Sequence, residues 1–138
     1  MIHVDSLVRR YGETTAVGGI SFDIPAREVV GFLGPNGAGK TTTLKVLTGY
    51  LFPSSGTVTM AGMDLGERTL DCRRAVGYLP ENNPLYEEME VAEYLEWCAR
   101  VRGLAGEQAR ARIQSAVERC GLGPVVGKDI GQLSKGYR

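Results

Sequence analysis

Several residue types are scarce in this sequence, and their scarcity excludes whole classes of site. The 138 residues include three cysteines, one tryptophan and one histidine. Cys72, Cys98 and Cys120 are odd in number and widely spaced, which fits reduced thiols rather than a disulfide framework or a metal site. His3 is the single histidine, so a site built from several histidine ligands is excluded.

The chain also has no excess of positive over negative side chains, or the reverse. Sixteen Lys and Arg residues balance sixteen Asp and Glu residues, giving a formal net charge of zero. This balance argues against a broad nucleic-acid-binding surface, so no nucleic-acid partner is expected. No apolar run approaches the length of a membrane span, and no signal peptide is recognisable. With 43% hydrophobic and 23% charged residues, the chain is expected to form a globular domain with a real core.

One segment carries a clear chemical pattern, G-x-x-x-x-G-K-[ST], which is typical of nucleotide-phosphate binding. Its residues are Gly34, Pro35, Asn36, Gly37, Ala38, Gly39, Lys40 and Thr41. The apolar run Val29–Leu33 before it predicts a buried parallel strand. Thr41–Thr48 after it predicts a helix that ends at Gly49. A strand, a glycine loop and a helix in this order favour phosphate binding over a plain glycine-rich turn.

The residue types at these positions suit a triphosphate. Backbone N–H groups and the positive end of a helix dipole bind anions at a helix N-terminus. Gly34, Gly37 and Gly39 can adopt positive φ and place no side chain in the way of the phosphates. Lys40 can reach the β- and γ-phosphates. The Thr41 hydroxyl is placed to ligate Mg²⁺, and Thr42 could donate to the α-phosphate.

The pattern of apolar residues divides the chain into two domains. Residues 1–82 are predicted to form a nucleotide-binding α/β core, and residues 83–138 a helical subdomain. The first has five β-rich runs, Ile2–Leu7, Ala16–Ile24, Val29–Leu33, Thr57–Ala61 and Val76–Leu79. The second has two apolar stripes at helical spacing, one of Val91, Tyr94, Leu95, Cys98 and Val101 and one of Ala109, Ile113, Ala116, Val117 and Cys120. Gly103 and Gly121 are the predicted helix stops.

These motifs, in this order, resemble the nucleotide-binding subunit of ATP-binding cassette (ABC) transporters over nearly the whole chain. The resemblance implies an α/β phosphate-loop NTPase core with an N-terminal antiparallel β segment and a helical subdomain. It implies ATP and Mg²⁺ as cofactors. Tyr11 would stack on the adenine base, and Val17 would line the adenine and ribose side.

Val76–Asn82 is similar to the family's Q-loop, with Glu81 in place of the usual glutamine. In the family this residue touches Mg²⁺ or the attacking water and signals to the membrane subunit. The resemblance therefore assigns Glu81 a catalytic and metal-ligating role beside Lys40, and carboxylate oxygen suits Mg²⁺. Glutamate here resembles a branch that mostly serves exporters. A solvated loop acid is the other interpretation of this residue.

Leu133–Tyr137 resembles the family's signature motif, although Lys135 and Tyr137 depart from its common form. Ser134 and Gly136 remain, and they would bind the γ-phosphate of the ATP held by an opposing subunit. The family's Walker B strand, catalytic glutamate and switch histidine do not occur in these residues. The chain is therefore expected to be an N-terminal fragment, inactive alone, of an ATP hydrolase that drives transport.

The resemblance also implies the partners and the location. The expected partners are an integral membrane permease subunit and a second nucleotide-binding domain. The expected location is the cytoplasmic inner face of the cell membrane. Two alternatives stay open: a cassette protein that acts outside transport, and a nucleotide-binding module without hydrolysis. A kinase or GTPase is a weaker alternative, because it would not explain the ordered elements at Tyr11, Glu81 and Ser134.

Overall fold

The computed structural model describes residues 1–80 and 84–137, and the chain divides into two compact units. The sheet unit spans Met1–Leu79 and the helical unit spans Pro80–Arg138. The sheet unit contains β1 (Ile2–Tyr11), β2 (Thr14–Ile24), α1 (Lys40–Leu47), β3 (Ser55–Met60), β4 (Met63–Asp64) and α2 (Thr69–Arg74). The helical unit contains α3 (Val91–Val101), α4 (Gly106–Arg119) and two short 3₁₀ turns, Gly123–Val125 and Ile130–Gln132.

The four strands form one antiparallel sheet in the order β2-β1-β3-β4. β1 and β2 are a hairpin whose last pair is Tyr11 with Thr14, and Gly12 turns the chain with φ 55°. Long-range antiparallel pairing agrees with the predicted N-terminal antiparallel β segment.

A β-bulge in β1 allows Val4 and Leu7, which lie three residues apart, to be buried on the same face of the sheet. Val4 and Leu7 are both completely buried, although residues three apart in a regular strand face opposite sides. The ladder shifts register between them, and Ser6 has φ 50° with its N–H donated to Ser21 Oγ at 2.8 Å. The extra residue resets the alternation and turns Leu7 back to the buried face.

The core of the sheet unit lies between the sheet and α1. Val46 and Leu47 from α1 pack there with buried residues from the strands and from α2. The complete set is Val4, Leu7, Val17, Val46, Leu47, Val58, Met60, Leu65 and Cys72. α1 ends at Leu47 with Thr48 as its C-cap, and Gly49 follows with φ 68° and donates its N–H to Val46 O at 2.8 Å. The predicted helix and its glycine stop are therefore confirmed.

Two predicted strands are wrong. Val29–Leu33 and Val76–Leu79 form no strand in the part of the chain that the structure describes. Val29 is fully exposed and Leu33 is 93% exposed, so the first run is not buried either. A strand needs a neighbouring backbone to bond its N–H and C=O groups, and no described segment lies alongside these runs. Phe32 packs on Phe22, with the two ring centroids 5.7 Å apart, and Val76 packs against the core of the sheet unit.

The helical unit has its own small core of Val91, Val125, Ile130 and Leu133. α3 begins where Glu90 N–H donates to the Glu93 carboxylate at 3.3 Å, and Gly103 follows its end with φ 74°. α4 is followed by Gly121 with φ 64°. Both predicted helices and both glycine stops are confirmed. The apolar stripe of α4 is only half-buried, since no residue of α4 is fully buried.

Four backbone hydrogen bonds hold residues 126–131, which lead into the second 3₁₀ turn, against residues 87–92 at the start of α3. The N–H groups of Val91 and Ala92 donate to the carbonyls of Lys128 and Val126 at 3.1 and 3.0 Å. In the other direction, Ile130 N–H donates to Met89 O at 2.9 Å and Gly131 N–H to Glu87 O at 2.9 Å. These four bonds hold residues 126–131 in one place relative to α3.

Candidate nucleotide-binding site

The candidate site centres on residues 34–41, called here the phosphate loop, which leads directly into α1. Gly37 and Gly39 both have φ 84°, in the left-handed region that favours glycine. Gly39 is also held against β2, because a Cβ there would collide with the carbonyl oxygen of Ala16 and lie 3.0 Å from Val17 Cγ2. Gly34 was expected to have the same freedom, but it is not among the residues with positive φ.

The Lys40 ammonium lies inside the curve of the phosphate loop. Its Nζ donates to the carbonyl oxygens of Gly34 at 2.6 Å and Pro35 at 2.7 Å. Ala38 N–H donates to Pro35 O at 3.3 Å and closes a turn across Asn36 and Gly37. The positive charge is therefore directed at the loop rather than spread into solvent.

The three threonines after Lys40 differ in exposure. Thr41 is exposed, Thr42 is half-buried, and Thr43 is only 1% exposed and joins the core. With Thr43, Val46 and Leu47 buried on one side of α1, the helix is anchored by its inner face and Thr41 lies on its exposed side. The Thr41 hydroxyl is thus available to a ligand of the phosphate loop.

The donor set at this site fits Mg²⁺ bound together with phosphates. Within residues 1–80 and 84–137, no group of three or more His, Cys, Asp or Glu side chains could hold a metal ion by itself. Mg²⁺ commonly uses one or two protein oxygens and completes its shell with phosphate oxygens and water. The exposed Thr41 hydroxyl can be such a ligand. Glu81, the second predicted ligand, lies outside the described residues.

Tyr11 and Val17 lie on the hairpin that supports the phosphate loop. Tyr11 ends β1 and is 47% exposed, so part of its ring can meet a ligand. Val17 is 4% exposed, belongs to the core, and touches the backbone region of Gly39. Arg9 pairs with Val17 across the ladder, which links the tip of the hairpin to the loop.

Arg9 lies beside Tyr11, and the sequence reasoning did not single it out. Its guanidinium carbon lies 4.8 Å from the centroid of the Tyr11 ring, in a cation–π contact. The signal was present, because residues two apart in a strand share a face and Arg9 and Tyr11 have this spacing. The carbonyl of Ala16 was also missed, since a backbone contact made by folding leaves no mark in the sequence.

Ser134 and Gly136 lie in the helical unit. Both are exposed, and Tyr137 N–H donates to Ser134 O at 2.9 Å to form a turn. Gly136 has open space where a Cβ would stand. Leu133, which precedes them, is buried in the core of the unit and fixes the start of the turn.

An aromatic group lies on α3 in the same unit. Trp97 stacks on Tyr94 with centroids 5.8 Å apart and meets Tyr86 edge-on at 5.3 Å. Burial, followed by the adjacent Cys98 and Tyr86, raises the pKa of Tyr94 above its ordinary value of 10.0. Beside this group is an apolar cavity of about 140 Å³, lined by Leu85, Val91, Tyr94, Leu95, Leu122, Ile130, Leu133 and Tyr137.

No helix in the described ranges is both long and apolar enough to cross a membrane.

Comparison with known proteins agrees with the motifs. The model of the ABC transporter family matches residues 17–138. An uncharacterized ABC transporter ATP-binding protein of Bacillus subtilis, YxlF, is 41% identical over all of this chain and 45% of its own length. The Nod factor export ATP-binding protein I of Burkholderia orbicola is 37% identical over 94% of this chain and 43% of its own. The probable multidrug ABC transporter ATP-binding protein YbhF of Escherichia coli is 33% identical over all of this chain and 24% of its own.

Solved structures give the same result for the fold. The ATP-binding subunit of an ABC transporter superposes with a TM-score of 0.83 at 27% identity, covering 99% of this chain and 58% of the other. CbiO1 of Clostridium perfringens, part of the ABC transporter complex cbiONQ, gives a TM-score of 0.83 at 28% identity, over 99% and 57%. The predicted phosphate-loop NTPase fold is confirmed, in partial form. The chain spans less than half the length of the curated relatives described above. It belongs to the ABC transporter family.

Proposed function

We propose that the phosphate loop of this chain binds the triphosphate of ATP. The observation that carries the proposal is the position of Lys40, whose Nζ is 2.6 and 2.7 Å from two carbonyl oxygens of the same loop. These neutral acceptors hold the ammonium where the loop curves. Phosphate oxygens carry negative charge and form stronger hydrogen bonds with an ammonium than carbonyls do. Lys40 would therefore exchange its loop carbonyls for the β- and γ-phosphates.

The other parts of the site would act together with Lys40. The N-terminus of α1 offers backbone N–H groups and the positive end of a helix dipole to the phosphates. Thr41 and Glu81 would hold Mg²⁺, which supplies charge neutralisation at the phosphates, and Thr42 would donate to the α-phosphate. Asn36 and Ala38 contribute loop backbone, and Tyr11 offers an exposed ring to the adenine base.

We infer further that the whole protein is the ATP-hydrolysing subunit of a transporter. The names of its relatives include Nod factor export and probable multidrug transport, which supports export. The partners would be a membrane permease subunit and a second nucleotide-binding domain, and the protein would lie on the cytoplasmic inner face of the membrane. Ser134 and Gly136, both exposed, would bind the γ-phosphate of ATP held by that second domain.

Replacement of Lys40 tests the ATP site. Lys40→Ala should weaken ATP binding by about 1.5–3 kcal/mol, the range for hydrogen bonds to charged groups. Titration calorimetry of the protein with Mg²⁺ and ATP measures the change. Lys45→Ala is the matched control, because Lys45 is on the same helix but lies 5.9 Å from the Tyr50 ring. Equal ATP affinity of the Lys40 variant and the parent would refute the proposed site.

A further inference from the structure

The guanidinium of Arg9 lies over the ring of Tyr11, which is proposed to stack on adenine. Arg9 and Tyr11 lie two residues apart on β1, and their side chains share one face of the sheet. The Arg9 guanidinium carbon is 4.8 Å from the Tyr11 ring centroid. Because Tyr11 is 47% exposed, the guanidinium leaves much of the ring open.

Arg9 is itself fixed by the loop that follows α1. Its Nη1 donates to Phe52 O at 2.9 Å. Ser54 binds this loop to β1 twice, since its N–H donates to Val8 O at 2.7 Å and its Oγ accepts from Arg10 N–H at 3.0 Å. The guanidinium is therefore bonded to this loop, and the loop is bonded twice to β1.

One buried donor of Arg9 remains without an oxygen acceptor. Its Nε is buried and has no hydrogen-bond partner among the described residues. A buried donor without a partner is costly, so some other group must compensate it. The electron-rich face of Tyr11 is the group beside the guanidinium, and a cation–π contact supplies this compensation.

We propose that Arg9 is a positioning residue for ATP, which holds the Tyr11 ring so that its open face receives the adenine base. This inference rests on the proposed function. Arg9 does not touch the nucleotide in this arrangement and acts through the ring. It determines how well the base is bound, while Lys40 determines how well the phosphates are bound.

A pair of ligands separates these two effects. ATP carries the base, whereas inorganic tripolyphosphate presents three phosphates without a base. Arg9→Met keeps an unbranched, flexible side chain and removes its charge and donors. It should weaken ATP binding by about 2- to 30-fold, the range equivalent to a cation–π contact, and leave tripolyphosphate affinity unchanged. Arg9→Lys keeps a cation over the ring and should recover most of the lost ATP affinity.

Three further variants complete the experiment, measured by calorimetry on the same protein preparations, with a thermal melt for each. Tyr11→Ala should weaken ATP binding but not tripolyphosphate binding, and adding Arg9→Met to it should cause no further loss. Arg10→Met, next to Arg9 but exposed, controls for the change in net charge and should bind both ligands like the parent.

The outcomes distinguish the inference from the function on which it rests. If Tyr11→Ala weakens ATP binding while Arg9→Met does not, the inference is wrong and the ATP site stands. If Arg9→Met weakens both ligands equally, or Arg9→Lys recovers nothing, Arg9 acts through general structure and the inference is also wrong. If Lys40→Ala leaves both affinities unchanged, the proposed function itself fails.

Discussion

At the scale of single residues, Gly39 joins the phosphate loop to the sheet. Its φ of 84° and its approach to the Ala16 carbonyl leave no room for a side chain. Gly37 has the same φ, but nothing lies within 4 Å of the position of its missing Cβ. The two glycines share this φ, but only at Gly39 does a neighbouring backbone occupy the place of the missing Cβ.

This difference gives a prediction with an internal control. Gly37→Ala should lower the free energy of unfolding by about 1–2 kcal/mol, the cost of left-handed backbone in an L-residue. Gly39→Ala should cost more, because the loop or β2 must also move. Urea unfolding monitored by circular dichroism measures both variants. Equal losses would show that the Ala16 contact does not constrain the loop.

The residue scale also shows the limits of sequence reasoning. The pattern at residues 34–41 predicts the loop and its glycines because it depends on local backbone geometry. The Ala16 carbonyl against Gly39 and the buried side of Val17 depend on how distant segments pack. The Lys40 bonds to Gly34 and Pro35 also follow from the folded loop and could not be deduced from residue types.

At the scale of elements, local signals predict helices and their ends more reliably than strands. The apolar spacing of α3 and the glycines after α1, α3 and α4 are local, and all were confirmed. Val29–Leu33 and Val76–Leu79 have the composition of strands but no neighbour in the described part of the chain. The composition of a segment shows whether its side chains suit a sheet, but the segment forms a strand only where another backbone pairs with it. The six-residue helix α2 was missed because it is too short to show a period.

Helix α3 gives a prediction that depends on pH. Tyr94 has a pKa above its ordinary value of 10.0, so on raising the pH the unfolded state loses its proton first. Its contribution to stability is therefore fully present below about pH 10 and is lost as the pH rises through the raised pKa. Tyr94→Phe should remove part of this fall in stability. Chemical unfolding followed by the fluorescence of Trp97, the single tryptophan, measures it between about pH 9 and 11.

Tyr50→Phe, in the sheet unit, controls for the loss of one tyrosine. Parallel stability curves for the Tyr94 variant and the parent would contradict the prediction.

At the scale of the whole molecule, the chain has two separate cores and a segment that belongs to neither. Val29 and Leu33 are almost completely exposed, next to the half-exposed Val30. Adjacent exposed apolar residues favour association between molecules.

We therefore predict that the 138-residue chain associates with itself as its concentration rises. The double variant Val29→Lys, Leu33→Glu should associate less, because charge on the segment opposes contact between copies. Sedimentation velocity over a range of concentrations measures this effect. Val101→Lys, which changes an exposed valine of the helical unit, should have a smaller effect. A parent that stays monomeric throughout would contradict the prediction.

The backbone ladder between residues 126–131 and the start of α3 has a consequence for sequence divergence. All four of its bonds join main-chain atoms, so they do not depend on which side chains occupy the exposed positions Lys128 and Asp129. Substitutions at these two positions should therefore leave the four bonds, and with them the start of the turn at Ser134, in place. Two kinds of change are the exception. Proline at Val91, Ala92 or Ile130 would remove a donor, and any side chain at Gly131 would meet the Glu87 carbonyl at 3.1 Å. The position of the turn thus depends on the path of the backbone, while the exposed side chains beside it can vary.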